Sequence, residues 1–319
     1  MTTLSNTFGI AARNFTAYPE MPDALALTEY GVRMEELGFD SIWVWDHILL
    51  GVDPNFPIVD SLTLLTAIAA RTTKIKLSTG ILVLPLRNPV LLAKQLSTLD
   101  QLSRGRTLMA MAVGWYKREF DAVGIPFEQR GKIMDDNLEI LKRLWTEDKV
   151  DGQWGPHNIA AGVMYPKPFQ KPRPPILVGG YVDKVLKRAA EKGDGWLTYF
   201  YKPEAFVSSW EKIRRFAAEA GKDPDTMMNG NQLPIMVGKS RKEVEGPMME
   251  WLNKEFDIAA GSQSSMDSAI MGTVDECVAQ LKAHLDVGVQ KIIFVPYKYQ
   301  MDQCEIIAKE IIPRLKAMR

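Results

Sequence analysis

Cysteine and histidine are scarce in this sequence, with two cysteines and three histidines among 319 residues. Cys277 and Cys304 alone cannot form a disulfide framework or a four-cysteine zinc site, so a reducing cytoplasm is the expected location. His157 and His284 fall in a predicted loop and a predicted helix, outside any cluster of metal ligands. We therefore expect no metal site.

Net charge and long apolar runs are also lacking. The 39 Lys and Arg residues balance the 39 Asp and Glu residues, so the chain has no long-range attraction for nucleic acid or an anionic membrane. Its most apolar runs, at 62–70 and 81–86, are far shorter than the ~20 residues that cross a bilayer. The first residues lack the basic start and apolar stretch of a secretory signal. We expect no nucleic-acid partner, no membrane segment and no export.

The sequence does contain a regular alternation of short β-branched runs and longer segments of helical period. Strands that recur only after a helix must be parallel, and eight such units favour a closed (β/α)₈ TIM barrel, an α/β fold, over a doubly wound sheet. The predicted strands are 7–12, 41–46, 75–83, 107–113, 175–180, 195–200, 232–238 and 291–296. The predicted helices are 22–37, 61–71, 88–103, 132–147, 182–192, 203–221, 273–287 and 302–316.

Two segments interrupt this repeat and are interpreted as insertions, after strands 4 and 7, in a single domain that covers residues 1–319. Residues 148–174 are rich in glycine and proline and precede the fifth strand. Residues 239–271 lie between the seventh strand and its helix. Because the functional loops of a barrel follow its strands, the second insertion is a candidate lid over the substrate. A solvated surface helix without a role is the alternative.

In a TIM barrel, the residues that follow the carboxyl ends of the strands meet at one rim, here called the mouth. The predicted mouth is rich in glycine and aromatic residues and nearly free of paired acids, which argues against glycoside hydrolysis by two opposed carboxylates. Glycines and aromatic rings suit the close approach of a flat cofactor that carries a phosphate. The predicted mouth residues are Asn14, Asp46, His47, Gly80, Ile81, Gly114, Trp115, Gly179, Gly180, Tyr199, Phe200, Gly238 and Tyr297.

His47 is the candidate proton carrier at the mouth, because an imidazole can take or give a proton near neutral pH. A buried histidine that only packs is the alternative. Gly179 and Gly180 precede a predicted helix, so their backbone N–H groups could bind a phosphate. A tight turn between strand and helix is the alternative for this glycine pair.

Longer stretches resemble the bacterial luciferase-like superfamily of flavin- and deazaflavin-dependent oxidoreductases. The run GFDSIWVWDH (38–47) is similar to the second-strand signature of that superfamily. Residues 79–106, 113–145, 174–180 and 188–196 resemble its successive blocks in order and spacing, so the resemblance covers roughly residues 5–200. The blocks at 79–106 and 113–145 look most like those of the F-420-dependent members.

The resemblance implies a barrel, often a homodimer, that binds coenzyme F-420 (a deazaflavin) or reduced FMN at its mouth. It implies that His47 lies near the reactive carbon of the cofactor, and that a non-prolyl cis peptide bond joins Gly80 to Ile81 against one face of the ring. The cofactor-binding residues that follow are Asp46, Thr79, Gly80, Ile81, Gly114, Trp115, Gly179 and Gly180, with the phosphate near the last two.

Two positions depart from the pattern of the superfamily. Its sugar-phosphate dehydrogenases carry an acid after the glycine that ends strand four, but this sequence has Trp115 there, so we do not expect glucose 6-phosphate as the substrate. Trp45 stands where a small or proline-like residue is common. By the period of two residues, Trp43, Trp45 and His47 share one side of the strand, and an inward side would bring Trp45 to the border of the ring site. A packed barrel aromatic is the alternative.

The leading hypothesis is an oxidoreductase that uses F-420 for hydride transfer with a small, largely apolar organic substrate. The second is an FMNH₂-dependent monooxygenase that uses O₂ and a separate flavin reductase, and the third is a flavin-binding protein without catalysis. The first two differ because only FMN forms a stable adduct with oxygen. The sequence leaves the choice between F-420 and FMN, and the identity of the substrate, open.

Overall fold

The computed structural model describes residues 7–53, 55–257 and 265–318. Within them it contains the strands β1 Thr7–Ala11, β2 Ser41–Val44, β3 Lys76–Val83, β4 Thr107–Ala112, β5 Val150–Trp154, β6 His157–Gly162, β7 Ile176–Gly179, β8 Gly195–Tyr199, β9 Met228–Val237, β10 Ile270–Gly272 and β11 Lys291–Pro296. The helices are α1 Ala24–Glu36, α2 Ser61–Arg71, α3 Pro89–Leu102, α4 Lys117–Ala122, α5 Arg130–Thr146, α6 Asp183–Lys192, α7 Pro203–Glu219, α8 Arg241–Leu252, α9 Val274–Asp286, α10 Met301–Ile306 and α11 Ile312–Ala317.

The strands β1, β2, β3, β4, β7, β8, β9 and β11 form a closed parallel barrel. Each pairs with the next in this order, and β11 returns to β1, which closes the ring. Helices surround the barrel, so the predicted (β/α)₈ TIM barrel is confirmed. Every strand that the sequence predicts overlaps one of these eight strands.

Strand β9 begins at Met228, earlier than the predicted start at 232. The sequence pattern fails there because residues 228–231 include two polar side chains. Asn229 and Asn231 are nevertheless buried, since their amide groups donate to the carbonyls of Gly288 at 3.1 Å and Tyr201 at 2.9 Å. A buried polar side chain is tolerated in a strand when its hydrogen bonds are made.

The barrel strands are apolar on both faces because alternate side chains face the interior and the surrounding helices. In β4, Leu108 and Ala110 join an inner cluster with Trp43 and Leu197, whereas Met109 packs against the outer layer. All five side chains are buried. Burial of a large apolar side chain contributes roughly 1.5 to 3 kcal/mol, so both layers stabilise the barrel and fix the strand ends.

The two predicted insertions differ in structure. Residues 148–174 contain the β5–β6 hairpin, which lies between α5 and β7. Residues 239–271 contain α8, a π-helical stretch Asn253–Asp257, and the first two residues of β10, which pairs with β9. Residues 258–264 of this insertion lie outside the described residues. In the described segments no helix has both the length and the apolar character that a membrane crossing requires.

Candidate active site

The loops that follow β2, β3, β4 and β7 meet at the mouth of the barrel. A Cβ atom placed on Gly179 would lie 2.1 Å from Cδ1 of Ile81, so the ends of β7 and β3 are in contact. The ring centroid of His47 lies 5.8 Å from that of Trp115, which joins the ends of β2 and β4. The structure thus brings together the four strand ends to which the sequence assigns the cofactor.

Strand β3 is irregular where it reaches the mouth. Its pairing with β4 shifts between Thr79 and Leu82, and the peptide bond between Gly80 and Ile81 is cis, as the resemblance implies. The hydroxyl group of Thr79 donates to the carbonyl of Ala110 at 2.8 Å, so this side chain is used within the sheet. Contact between Thr79 and a cofactor stays a prediction.

A buried amide faces this irregularity from the opposite side of the barrel. Gln232 of β9 is 1% exposed, and its Nε2 lies 3.4 Å from the carbonyl oxygen of Gly80. Its Oε1 is buried and has no hydrogen-bond partner within the described residues. An unsatisfied buried acceptor is costly, so this oxygen is available to a donor that enters the mouth.

The glycine pair at the end of β7 has two different structural requirements. Gly179 is close-packed against Ile81, and Gly180 adopts a φ of +132°, which disfavours any side chain. The carbonyl of Gly180 accepts a hydrogen bond from Nε1 of Trp196 at 2.8 Å. Both positions therefore need glycine for structural reasons, and their phosphate-binding role stays a prediction.

Asp46 is buried, and both of its carboxylate oxygens accept hydrogen bonds from protein groups. One accepts from the backbone N–H of Val83 at 2.9 Å, and the other accepts from Ser61 at 2.8 Å and Arg87 at 2.6 Å. These contacts tie the end of β2 to the residue that ends β3. Asp46 thus links the strand ends at the mouth by hydrogen bonds, while its direct contact with a cofactor stays a prediction.

His47 is held by a buried carboxylate from α4. Its Nδ1 lies 2.8 Å from Oε2 of Glu119, a residue that is 1% exposed. The other oxygen of Glu119 accepts from the backbone N–H of Leu49 at 2.9 Å and from the backbone N–H of Ile48. Within the described part of the chain, Nε2 of His47 makes no hydrogen bond, so this nitrogen remains available for proton transfer.

A glycine explains why α4 reaches His47. Gly114 has a φ of +78°, and a Cβ atom there would lie 2.6 Å from Cγ1 of Val83 and 2.9 Å from Cζ of Phe120. Only glycine therefore permits this turn from β4 into α4. Phe120 is buried, with its ring centroid 5.1 Å from that of Phe127, which anchors the helix and fixes the position of Glu119.

Aromatic side chains form a wall at the mouth, here called the aromatic wall. Phe256, from the π-helical stretch of the 239–271 insertion, lies at its centre. The ring centroids of the other members lie 5.3 to 5.8 Å from that of Phe256, and they are Phe15, Trp45, Phe200 and Trp251. The insertion therefore contacts the strand ends, and its role as a lid stays a prediction.

A partly buried ion pair also joins this insertion to the end of β1. Arg13 donates to Glu255, which is buried, and to Glu20 at 2.6 Å. Nε of Arg13 and Oε2 of Glu255 are buried without a hydrogen-bond partner in the described segments. Burial raises the pKa of the nearby Tyr299 phenol, and the negative charge of Glu255 raises it further. Tyr299 is therefore neutral and accepts a hydrogen bond from Trp45 at 3.3 Å.

Sequence reasoning missed four of these residues: Arg13, Glu119, Gln232 and Glu255. A mouth judged from strand ends alone leaves out Glu119, which comes from α4, and Glu255, which comes from the insertion. Both are carboxylates that pair with a basic side chain at the mouth: Glu119 with His47, and Glu255 with Arg13. Glu119 falls inside the family-like block 113–145, which is the one signal that could have directed attention to it.

The family model described as luciferase-like monooxygenase matches residues 7–291 of the chain. The chain belongs to the luciferase-like monooxygenase family. It is therefore an enzyme of the luciferase-like oxidoreductase type.

This luciferase-like protein is similar both to F-420-dependent relatives and to FMNH₂-dependent relatives. An F-420-dependent glucose-6-phosphate dehydrogenase of Amycolatopsis mediterranei is 24% identical, over 92% of this chain and 95% of the relative. An FMNH₂-dependent dimethylsulfone monooxygenase of Pseudomonas putida is 24% identical, over 81% of this chain and 79% of the relative. The solved structure of an F-420-dependent secondary alcohol dehydrogenase in complex with an F-420-acetone adduct matches with a TM-score of 0.83 at 22% identity, over 99% of both chains.

The mouth of this luciferase-like barrel fits a flat heterocyclic cofactor. Gly80 and Gly179 leave the β3 and β7 ends without side chains, and Ile81 supplies an apolar surface beside them. The unpartnered Oε1 of Gln232 is a buried acceptor of the kind that a ring N–H group requires. The residues present therefore suit the deazaflavin or flavin ring that the family uses.

Proposed function

We propose that this protein is an F-420-dependent oxidoreductase that transfers hydride to or from a small, largely apolar organic substrate. His47 carries the proton on the substrate oxygen. The single observation that carries the proposal is the pairing of the His47 imidazole with the buried Glu119, 2.8 Å away, at the mouth. A histidine that only packs does not require a buried carboxylate partner.

The chain would bind, orient and exchange a proton with the reactants. Ile81 and the backbone at Gly80 would contact one face of the ring, Gln232 would accept from its edge, and Gly179 and Gly180 would bind the phosphate. When bound, F-420 supplies the hydride acceptor or donor. For an alcohol, Nε2 of His47 takes the hydroxyl proton during oxidation and returns it to the carbonyl oxygen in the reverse direction.

The proposed substrate is small and largely apolar because of what surrounds the mouth. The aromatic wall offers apolar surface, and Trp115 stands beside His47 where a sugar-phosphate dehydrogenase of the superfamily carries an acid. Arg13, a cation at the mouth, is already paired with two carboxylates. These features favour an alcohol or carbonyl compound over a phosphorylated sugar.

Turnover with F-420 and a panel of small alcohols and ketones tests the proposal. We expect oxidised F-420 to be reduced by an alcohol of the panel, or reduced F-420 to be oxidised by a ketone. His47→Ala should lower kcat by about 10² to 10⁴-fold with the cofactor still bound, as expected for a lost acid or base. His157→Ala, on the β5–β6 hairpin, is the matched control. No reaction with F-420, together with oxygen-dependent turnover with FMNH₂, would reject the proposal.

We also infer that the protein is a homodimer. Helix α3 exposes Leu91 and Leu102, which are 65% and 61% exposed, and Ile48 on the β2 loop is 40% exposed. Ile48 and Leu91 line an open cavity of about 450 Å³ beside His47. Exposed apolar side chains rimmed by polar ones, here Asp60, Arg87 and Gln95, are typical of an interface. Light scattering after gel filtration should give twice the mass of 35.9 kDa, and a monomeric mass would contradict the inference.

A further inference from the structure

Glu119 contacts His47 in a way that determines which imidazole nitrogen carries the hydrogen. Its Oε1 accepts from the backbone N–H groups of Ile48 and Leu49, which can only donate. Its Oε2 faces Nδ1 of His47 at 2.8 Å. A carboxylate accepts hydrogen bonds on both oxygens, so Nδ1 carries the hydrogen, and in the neutral imidazole Nε2 then presents its lone pair.

We propose that Glu119 is a positioning residue, which holds His47 as the Nδ1–H tautomer with Nε2 free for the substrate proton. This inference rests on the proposed function, in which Nε2 exchanges that proton. Without Glu119 the neutral imidazole would populate both tautomers, and the Nε2–H form cannot accept the substrate proton at Nε2. Glu119 would also stabilise the imidazolium that forms after proton uptake, as carboxylates do in histidine-carboxylate pairs.

The surroundings of Glu119 hold it in place. Burial of Phe120 anchors α4, and the two backbone hydrogen bonds leave Oε1 no freedom to rotate away. The ring of Trp115 packs edge to face against His47 and limits the rotation of the imidazole. The carboxylate and the indole together therefore fix both the tautomer and the ring orientation.

Replacement of Glu119 by glutamine gives a definite expectation for the tautomer. The amide oxygen of Glu119→Gln should remain on the N–H groups of Ile48 and Leu49, because the amide nitrogen cannot accept from them. The NH₂ group would then face Nδ1 of His47 and donate to it. The variant should therefore shift His47 to the Nε2–H tautomer, in which Nε2 cannot act as a base.

Nitrogen NMR of cofactor-free protein labelled at histidine measures the tautomer directly. The chain has three histidines, and His47→Ala assigns the His47 signals. We expect the Nδ1–H form in the wild type and the Nε2–H form in Glu119→Gln, with kcat for F-420 turnover lowered about 10² to 10⁴-fold and KM little changed. Glu119→Asp keeps a carboxylate and should restore part of kcat. Asp121→Asn, an exposed change on the same helix, should alter neither the tautomer of His47 nor kcat.

Two results would overturn the inference. One is the finding that His47 of the wild-type protein is in the Nε2–H form. This measurement does not depend on whether any variant folds. The other is a Glu119→Gln protein, folded by circular dichroism, with wild-type kcat. Failure of the proposed function has a different signature, since wild-type turnover with F-420 would be absent while the tautomer shift in Glu119→Gln would persist.

Discussion

The side-chain amide of Gln232 lies against the backbone of Gly80 across the barrel. A Cβ atom on Gly80 would lie 3.0 Å from Oε1 of Gln232, and that oxygen is buried without a partner in the described part of the chain. A bound ring with an N–H edge would satisfy it. The same amide would therefore destabilise the free protein and stabilise a complex with such a ring.

Gln232→Leu should consequently have effects of opposite sign on folding and on binding. Loss of the unsatisfied Oε1 should outweigh loss of the long 3.4 Å hydrogen bond from Nε2 to the Gly80 carbonyl, so the free energy of unfolding of the cofactor-free protein should rise by less than about 1 kcal/mol. Loss of one hydrogen bond to the ring should raise the dissociation constant about tenfold. Urea unfolding and fluorescence titration measure the two quantities, with the exposed Gln153→Leu as the control. A variant that binds as tightly as the wild type would refute this role.

Gly179→Ala should weaken cofactor binding by tenfold or more, because the new methyl group would displace Ile81 from the ring surface. Gly246→Ala is the matched control, since a Cβ atom there would meet nothing within 4 Å. That change lies in α8 and should stabilise the protein by up to about 1 kcal/mol without affecting binding. Unchanged affinity in Gly179→Ala would show that β7 does not border the ring.

The sequence predicts the barrel well because its strands and helices are defined by local patterns. Alternating periodicity locates all eight barrel strands, and the family-like blocks imply the cis bond at Gly80. Helix α4 escapes prediction because it is short, with six residues after a glycine turn. The start of β9 escapes because buried asparagines replace the apolar pattern.

The polar network of the site is less accessible to sequence reasoning. Glu119 is one of 39 acidic residues, and its contact with His47 spans 72 positions in the chain. The partner of Arg13 is Glu255, 242 positions away. Such pairs depend on how insertions and short helices fold back over the mouth, and no periodicity encodes this.

Arg13→Met should lower the free energy of unfolding by about 3 kcal/mol, because it leaves the buried Glu255 without its cation. Adding Glu255→Gln to that variant should restore most of the loss. The exposed pair of Lys117 and Asp121 provides the control, since Lys117→Met should cost less than about 1 kcal/mol. Urea unfolding gives these values, and additive losses in the double variant would contradict the pairing.

The stability of the protein should fall in acid through His284. Burial lowers the pKa of this imidazole from 6.5 to about 4. Between these two values the imidazole is protonated in the unfolded chain but neutral in the folded chain, so acid favours unfolding. Between pH 7 and pH 5 the loss should be about 2 kcal/mol, and His284→Leu should abolish it. Urea unfolding at both pH values tests this, with His157→Leu as the control. An equal loss in wild type and His284→Leu would argue against it.

The proposed function requires that the cofactor ring bind where the ends of β2, β3, β4 and β7 meet. Parallel titration of the purified protein with F-420 and FMN tests this most directly. We predict that F-420 binds at least tenfold more tightly than FMN, a difference of about 1.4 kcal/mol, and that Gly179→Ala weakens F-420 binding by tenfold or more. Tight uptake of FMN with no binding of F-420, or F-420 binding that Gly179→Ala leaves intact, would contradict it.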